Sequence, residues 1–378
     1  MDTKFKIAML GHKRIPSREG GIEIVVEELS TRMVNQGHKV TCYNRRGHHV
    51  SGKAYDAKKL KEYKGVELNE VLTIDKKGLA AMSASFFASV KVAFGRYDVV
   101  HFHAEGPCAM MWIPKLFGKR CVVTIHGLDH QRAKWGKLGK TFILFGEKCA
   151  VKFADEIIVL SKGVQEYFKE TYGRETKHIP NGVNRPITRN AVMIKEEYKL
   201  YKDSYILFLG RIVPEKGIQY LIEAYKKVDT TKKLVIAGGS SDTEAFLNEM
   251  KQLAKGDDRI IFTGFVQGQL LEELYSNAYV YTLPSDLEGM PLSLLEAMSY
   301  GNCCLVSNIA ECAEVVEDKA VMFERSNTKS LLDALQMLCD DKIMVNEYKK
   351  KACDYICEKY SWDDVVKKTC ILYKSKKD

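Results

Sequence analysis

The chain has 378 residues, enough for two domains, with 46% hydrophobic and 28% charged residues, 27 Gly and 8 Pro. That composition excludes collagen-like and disordered chains, and no apolar run reaches the ~18–20 residues that cross a bilayer. The net charge of +9 is uneven: residues 1–184 hold 31 Lys+Arg against 19 Asp+Glu, net +12, and the remainder 27 against 30, net −3. A basic half reads either as a surface for an anionic partner (membrane, phosphate-bearing acceptor or nucleic acid) or as a solvated lysine-rich face. The eleven cysteines are odd in number, form no Cys-x-x-Cys pair and mostly sit in apolar runs. They read as small hydrophobes of a reducing compartment rather than a disulfide scaffold or zinc ribbon. The charged start, Met1 to Lys6, runs straight into a strand-like stretch and does not resemble a secretory signal. A soluble, cytoplasmic protein is expected.

In chain order, Phe5–Leu10 reads as a strand, and Ile22–Asn35 as a helix with Ile22, Val25, Val26, Leu29 and Met33 on one face. Leu79–Phe94 is apolar but broken by Ser83, Ser85, Ser89 and Lys91; it suits either an interfacial helix or one buried against a sheet. Strands are expected at Lys39–Tyr43, Tyr97–Phe102, Cys121–Ile125 and Glu156–Leu160. Their continuous apolar character fits a parallel sheet covered by helices on both faces. Between Ile179 and Arg189 the pattern lapses into Pro180, Asn181, Gly182 and Pro186, a linker. The alternation then restarts with strands at Tyr205–Leu209, Leu234–Ala237, Arg259–Phe262, Tyr279–Leu283 and Cys303–Val306. The tail from Ser330 to Lys377 reads as helices only. The expected fold is α/β, with two doubly wound halves facing across a cleft and chemistry in the loops beyond the carboxyl ends of the strands.

Two of those loops stand out. After the first strand comes Gly11-His-Lys-Arg-Ile-Pro-Ser-Arg-Glu-Gly20-Gly21, whose paired glycines at a helix start can bring an anion to free amides. The loop is not Gly-x-Gly-x-x-Gly and no P-loop spacing is present, which disfavours a nicotinamide dinucleotide and ATP hydrolysis. In the second half, Gly210-Arg211-Ile-Val-Pro-Glu-Lys216-Gly217 sets Arg211 and Lys216 around a tight turn, able to converge on a diphosphate. Further on, Glu288 precedes a helix that contains Glu296, with Pro291 in its first turn. Two carboxylates eight positions apart across a loop-to-helix junction can hold hydroxyls at two ends of one polar ligand.

These segments resemble glycosyltransferase family 4, retaining enzymes with the two-Rossmann GT-B fold. The resemblance rests on Gly20-Gly21-Ile22-Glu23, His126-Gly-Leu-Asp129, Ile179-Pro-Asn-Gly-Val183, Gly210-Arg211 with Lys216-Gly217, and Glu288-x7-Glu296, with Tyr360-Ser-Trp362 near the end. Transferases of bacterial capsule and exopolysaccharide assembly are similar in flavour. The resemblance implies an N-terminal acceptor domain over residues 1–183, a nucleotide-sugar domain over 184–357, and a segment 358–378 that crosses back to the first. It implies that Arg211 and Lys216 hold the donor diphosphate, with the amides of Gly20 and Gly21 on the same group. Glu296 would take the ribose hydroxyls and Glu288 the donor sugar, with the amides of Gly289, Met290 and Leu292 around sugar and phosphate. Backbone near Gly264 and Phe265 would read the base, and His126 would steer the reacting sugar. The implied reaction is front-face displacement, with the leaving phosphate taking the acceptor's proton, and with no metal and no other cofactor.

Several residues keep two readings. His101-x-His103 with His126 and His130 could suggest zinc, but a Glu or Cys ligand in helical register is lacking, so no metal is expected. Asp129 acts with His126 or caps the next turn, and Glu105 faces the acceptor or solvent. With His103 and Arg132, these two are the candidate acceptor contacts. The basic run of Arg132, Lys134, Lys137 and Lys140 around Trp135 grips a lipid pyrophosphate or an anionic bilayer, or is a solvated face. No aromatic platform supports nucleic acid. The expected function is transfer of a hexose from a nucleoside-diphosphate sugar to a lipid-linked saccharide at the inner membrane face. UDP is favoured as the carrier, ahead of GDP-mannose and dTDP-rhamnose. The alternatives are a GT-B nucleotide-sugar epimerase and a catalytically silent membrane-associated scaffold.

Overall fold

The computed structural model describes residues 3–48, 60–74, 76, 78–132, 135–240 and 244–374. In chain order the first stretch runs β1 (Lys6–Leu10), α1 (Gly21–Asn35), β2 (Lys39–Arg45), β3 (Glu62–Tyr63), β4 (Val66–Val71), α2 (Leu79–Phe94), β5 (Val99–His103), α3 (Trp112–Leu116), β6 (Arg120–Ile125), α4 (Lys137–Phe153), β7 (Glu156–Val159), α5 (Lys162–Tyr172) and β8 (Lys177–His178). It continues with α6 (Met193–Tyr198), β9 (Tyr205–Leu209), α7 (Ile218–Tyr225), β10 (Lys233–Ala237), α8 (Glu244–Ala254), β11 (Ile260–Gly264), α9 (Gly268–Asn277), β12 (Val280–Leu283) and α10 (Leu292–Ser299). The last elements are β13 (Cys303–Ser307), α11 (Ala310–Val316), β14 (Val321–Phe323), α12 (Thr328–Asp340), α13 (Lys342–Lys359) and α14 (Trp362–Tyr373). Contacts divide the chain into two units, Met1–Asn181 with Trp362–Asp378, and Gly182–Ser361.

The first unit is built on an eight-stranded sheet ordered β3-β4-β2-β1-β5-β6-β7-β8, parallel except for β3. Its central strands are apolar throughout because both faces are covered: Ile7 to Leu10, Val99 and Val100, and Val122 and Val123 are almost completely buried. Helix α1 buries Val25, Val26, Leu29 and Met33, as its periodicity predicts, and Glu23 and Ser30 as well. Helix α2 buries small residues, Ala84, Ser85, Ala88, Ser89, Val92 and Ala93, which is how an interrupted apolar segment comes to lie close to neighbouring elements. Strands β3, β4 and β8 were not anticipated. β3 and β8 have two residues each, too few to show a period, and in β4 the adjacent Asn69 and Glu70 interrupt the alternation of Val66, Leu68 and Val71 with polar residues.

Helix α14 completes this unit. Tyr373 is 1% exposed, and its hydroxyl lies 2.7 Å from Nδ1 of the fully buried His101, whose Nε2 meets the Thr124 hydroxyl at 2.8 Å. Arg120 donates twice to the Leu372 carbonyl, at 3.0 and 2.8 Å, and Arg32 pairs with Asp363 at 3.1 Å.

The second unit holds a six-stranded, all-parallel sheet ordered β11-β10-β9-β12-β13-β14. This is the 3-2-1-4-5-6 order of a doubly wound nucleotide-binding fold. Its core uses buried tyrosines whose hydroxyls find backbone acceptors, Tyr205 on Leu274 (2.7 Å) and Tyr279 on Leu338 (2.8 Å), so the rings are buried at no cost in unsatisfied polar groups. Among the described residues no helix is long and apolar enough to cross a membrane.

Tyr373→Phe leaves Nδ1 of His101 buried without its partner, a cost of about 1–3 kcal/mol. For a unit of this size that corresponds to a loss of roughly 2–12 °C in the thermal midpoint. Differential scanning calorimetry of the variant is expected to show it in the first unit's transition, and an unchanged midpoint contradicts the buried pair.

Candidate functional site

In the second unit the order of strands reverses between β9 and β12. Loops leaving adjacent strands at such a point run in opposite directions and open a crevice beyond the strand ends. Here the two loops are pinned together. Gly217, at φ +66°, lies so close to β12's exit that a Cβ would stand 1.9 Å from the Pro284 carbonyl oxygen. The Asp286 amide donates to the Glu215 carbonyl at 2.9 Å. On this platform Nζ of Lys216 is 2.5 Å from Oε1 of Glu288, and the Ser285 hydroxyl donates to the same oxygen at 2.6 Å. The two side chains are only 12% and 9% exposed, so solvent screens the pair poorly. Lys216 and Glu288, 72 residues apart in sequence, are thus in direct contact.

The other residues predicted in this unit occupy adjoining strand ends. Arg211 follows Gly210, whose amide donates to the Ala237 carbonyl (3.0 Å) and whose own carbonyl would be 1.8 Å from a Cβ at Gly238, φ +143°. Gly264 closes β11, exposed at φ +73°, and Phe265 is half-buried beside it. Glu296 lies on α10, where the Tyr275 hydroxyl donates to its Oε2 at 3.2 Å. Gly289, Met290 and Leu292 are buried around the start of α10. Pro291 stands one place earlier than expected: it is the cap residue, with its carbonyl accepting from Leu294 and Leu295, and the helix proper opens at Leu292.

In the first unit the order reverses between β1 and β5, and the second set of predicted residues gathers in the loops that follow. Gly11, at φ +107°, passes 2.2 Å (measured from a would-be Cβ) from the His103 carbonyl. The loop beyond it hangs on Asn44, which takes His12 Nε2 (3.0 Å) and the Ile15 amide (3.2 Å) and donates to the Ile15 carbonyl (3.0 Å). Gly20 and Gly21 start α1. The Glu23 carboxylate turns back over them, 2.8 Å from a Cβ built on Gly20, and accepts from the Lys13 amide at 2.8 Å. Beyond β5, Ala104 takes φ +74°, a costly conformation for a residue with a side chain, held by its amide on the Thr124 carbonyl (3.0 Å). That kink turns Glu105 inward.

His103 and Glu105 are both fully buried, and they touch the more accessible residues: His103 Nδ1 lies 3.1 Å from His126 Nε2, and Glu105 Oε2 accepts from the Asp129 amide at 2.8 Å. Asp129 opens a 3-10 turn and its carboxylate pairs with Arg132 Nε at 2.7 Å. Lys137 and Lys140 are exposed at the start of α4, and Lys134 lies outside the described residues. Among the described residues, the group whose ligand atoms converge is not a histidine pair. It is Glu105, His130 and Glu147, the last a residue of α4 that the sequence did not single out.

Burial lowers His12 to about 4, against the pull of Glu23, and takes His101 to about 3 and His126 to about 4, so all three are neutral at pH 7. Glu23 also is buried, which raises its carboxyl, yet the Lys13 charge and amide outweigh this and hold it below the usual range. Glu105 is pushed well above that range, first by burial and then by the charges of Asp129 and Glu147.

Residues 19–185 match the Glycosyltransferase Family 4 model, and residues 193–354 match the model for Glycosyl transferases group 1. The chain joins a family 4 and a group 1 glycosyltransferase domain. An uncharacterized glycosyltransferase of Methanocaldococcus jannaschii is 26% identical over 98% of each chain. UDP-Gal:alpha-D-GlcNAc-diphosphoundecaprenol alpha-1,3-galactosyltransferase of Escherichia coli is 28% identical over 66% of this chain and 68% of that one. Among solved structures, sucrose-phosphate synthase from Thermosynechococcus elongatus aligns with a TM-score of 0.80 at 21% identity, covering 97% of this chain and 98% of that one. Anabaena HepE, solved with UDP and glucose, aligns at 0.81 and 15% identity over the same shares. The fold of this glycosyltransferase is GT-B, and its domains and relatives support transferase activity.

Two outcomes follow from this geometry. Gly217→Ala must push the turn off Pro284, because strain at positive φ and a contact with backbone cannot both relax. It is expected to break the Lys216–Glu288 contact and to abolish nucleotide-induced thermal stabilisation, while far-UV circular dichroism keeps its shape. Second, His12, His101 and His126 take up protons in the unfolded chain from about pH 6.5 downward but in the fold only near 3–4. Stability is therefore full above pH 6.5 and falls as pH drops through that value, by up to about 1.4 kcal/mol per unit for each histidine. Glu105, with its raised carboxyl, acts in the opposite direction, adding stability as pH falls. Urea titrations at pH 7 and 5 are expected to give a lower midpoint at pH 5, and equal midpoints contradict the neutral histidines.

Proposed function

We propose that this protein is a retaining transferase that moves a hexose from a nucleoside-diphosphate sugar, UDP-linked, to a lipid-linked saccharide of surface polysaccharide. The observation that carries the reading is the Lys216–Glu288 pair, held largely out of solvent where the strand order of the second unit reverses. The E. coli relative is by name a transferase from UDP-Gal to a diphosphoundecaprenol-linked sugar, which supports both donor and acceptor class.

The donor falls to the second unit. Lys216 and Arg211 supply the positive charge that offsets the departing diphosphate, so no metal is assigned to this step. Lys216 is engaged by Glu288. An incoming diphosphate competes for Lys216 and releases Glu288, whose carboxylate then accepts hydrogen bonds from the donor-sugar hydroxyls. Glu296, braced by Tyr275, accepts from the ribose, and the amides around Gly289, Met290 and Leu292 cover sugar and phosphate. Gly264 and Phe265 border the base.

Acceptor handling falls to the first unit. His126, neutral and backed by His103, steers the reacting sugar, with Asp129 and Arg132 on the acceptor saccharide and Glu105 behind them; Gly20 and Gly21 offer amides to phosphate. The acceptor's proton goes to the leaving phosphate. Its lipid is served by the start of α4, where Leu138 is 89% exposed beside the exposed Lys137 and Lys140. An apolar side chain among cations suits an anionic bilayer face.

The test is a thermal-shift panel of UDP, GDP and dTDP without added metal, on the parent and on Arg211→Ala and Glu288→Gln. Ligand at a hundred times its dissociation constant adds about 2.7 kcal/mol, several degrees for domains of this size. UDP is expected to stabilise the parent and not Arg211→Ala. Glu288→Gln is expected to bind UDP as well or better, having lost Lys216's competitor, while its kcat falls at least about 100-fold. No stabilisation by any diphosphate, or full turnover in Glu288→Gln, overturns the reading.

A further inference from the structure

Helix α4 passes unusually near the turn after β5. A Cβ on Gly146 would stand 2.2 Å from the Glu105 carbonyl oxygen, so the glycine admits a backbone contact that brings the next residue, Glu147, to Glu105. Both carboxylates are fully buried. Each has one oxygen held by donors: Glu105 Oε2 by the Asp129 amide (2.8 Å), and Glu147 Oε1 by the hydroxyls of Tyr167 (2.9 Å) and Tyr172 (2.5 Å). The other oxygens, Glu105 Oε1 and Glu147 Oε2, have no donor unless a proton is shared between the two carboxyls, and Nδ1 of His130 makes no hydrogen bond. One ligand atom from each of the three residues lies within 4.8 Å of the others, and Glu147 Oε2 is 3.4 Å from His130 Nδ1. Two carboxylate oxygens and an imidazole nitrogen thus converge in a buried place. Two carboxylates removed from water need a compensating positive charge, and the basic nitrogen beside them is Nδ1 of His130, 3.4 Å from Glu147 Oε2.

We infer that Glu105, His130 and Glu147 form a site for a divalent transition cation of the zinc class. One nitrogen and two oxygen donors suit such an ion, and its two charges balance the two carboxylates. The outer contacts are those of a built site: donors fix the far oxygen of each carboxylate and so aim the near one. The His130 side chain, 16% exposed, marks the way in, and three protein ligands leave a further position for water. The ion ties three segments, the turn after β5, the 3-10 turn Asp129–Gln131 and α4. Through the Glu105–Asp129 bond it steadies the loop that carries His126. It lies wholly within the first unit and takes no part in the donor chemistry assigned to Arg211 and Lys216, so the site stands or falls independently of the transferase reading.

The test uses the full chain, freed of metal with a chelator and titrated with Zn2+ by calorimetry and with Co2+ by absorption. Cobalt separates this site from the eleven cysteines, because thiolate ligands give an intense charge-transfer band that imidazole and carboxylate ligands do not. One Zn2+ per chain is expected, displacing Co2+ whose spectrum lacks the thiolate band. His130→Ala, at the accessible edge, and Glu147→Gln are each expected to weaken Co2+ binding more than ~100-fold. Tyr172→Phe, which loosens only an outer contact, is expected to weaken it about 10–100-fold with the fold intact by circular dichroism. Absence of stoichiometric binding (a proton shared by the carboxylates being the only compensation), a thiolate band in the Co2+ spectrum, or equal affinity in His130→Ala overturns the site.

Discussion

The contact on which the second unit's chemistry depends is the backbone approach of Gly217 to the Pro284 carbonyl. Parallel strands send all their exits to one edge, but loops on either side of a reversal in strand order lead away from each other. Something must draw them back if side chains from both are to act on one ligand. A residue without a Cβ at positive φ does this by letting one loop's backbone sit on the other's. Once they touch, Lys216 reaches Glu288 with no further adjustment. The first unit solves the same problem at its own reversal with Gly11 against the His103 carbonyl, and again with Gly146 against Glu105.

The two units treat charge differently. In the second, a cation and an anion are paired at 2.5 Å with little water around them, an arrangement that is expensive to break by removing one partner and that an anionic ligand can exchange into. In the first, burial keeps His12, His101 and His126 uncharged, so strand β5 and the loops after β1 and β6 hold rings that position rather than ionise. The carboxylates are the exception: Glu105 and Glu147 are brought together without a matching lysine or arginine in contact among the described residues. That imbalance sits next to the Asp129–Arg132 pair and the His126 loop, in the part of the unit where the strained Ala104 is also found. Buried unpaired acids and backbone strain cost stability, and proteins keep both mainly where a function needs them.

Much of this was legible along the chain. The strong strands announced themselves as continuous apolar runs because both faces of each sheet are covered, and α1 by a stripe at helical spacing. The motif residues Arg211, Lys216, Glu288 and Glu296 could be placed at strand exits and a helix start because Gly and Pro punctuate those loops. The short strands β3, β8 and β14 were not legible, since two or three residues carry no period. Glu147 carried no signal either. In the middle of α4, an acid in a run of Phe, Gly and Lys looks like any solvent-facing position, and only its burial against Glu105 and the two tyrosines distinguishes it.

The sequence by itself therefore determined the alternating α/β order, the break near Pro180 to Pro186, and which residue types stand at the strand exits, because these depend on local periodicity and on the backbone freedom of Gly and Pro. Tertiary structure alone decided who meets whom: Lys216 with Glu288 across 72 residues, His101 with Tyr373 across 272, and Glu105 with Glu147 and His130. Partners so far apart in the chain are set by strand order and by a few close backbone approaches, and neither leaves a pattern within a window of neighbouring residues.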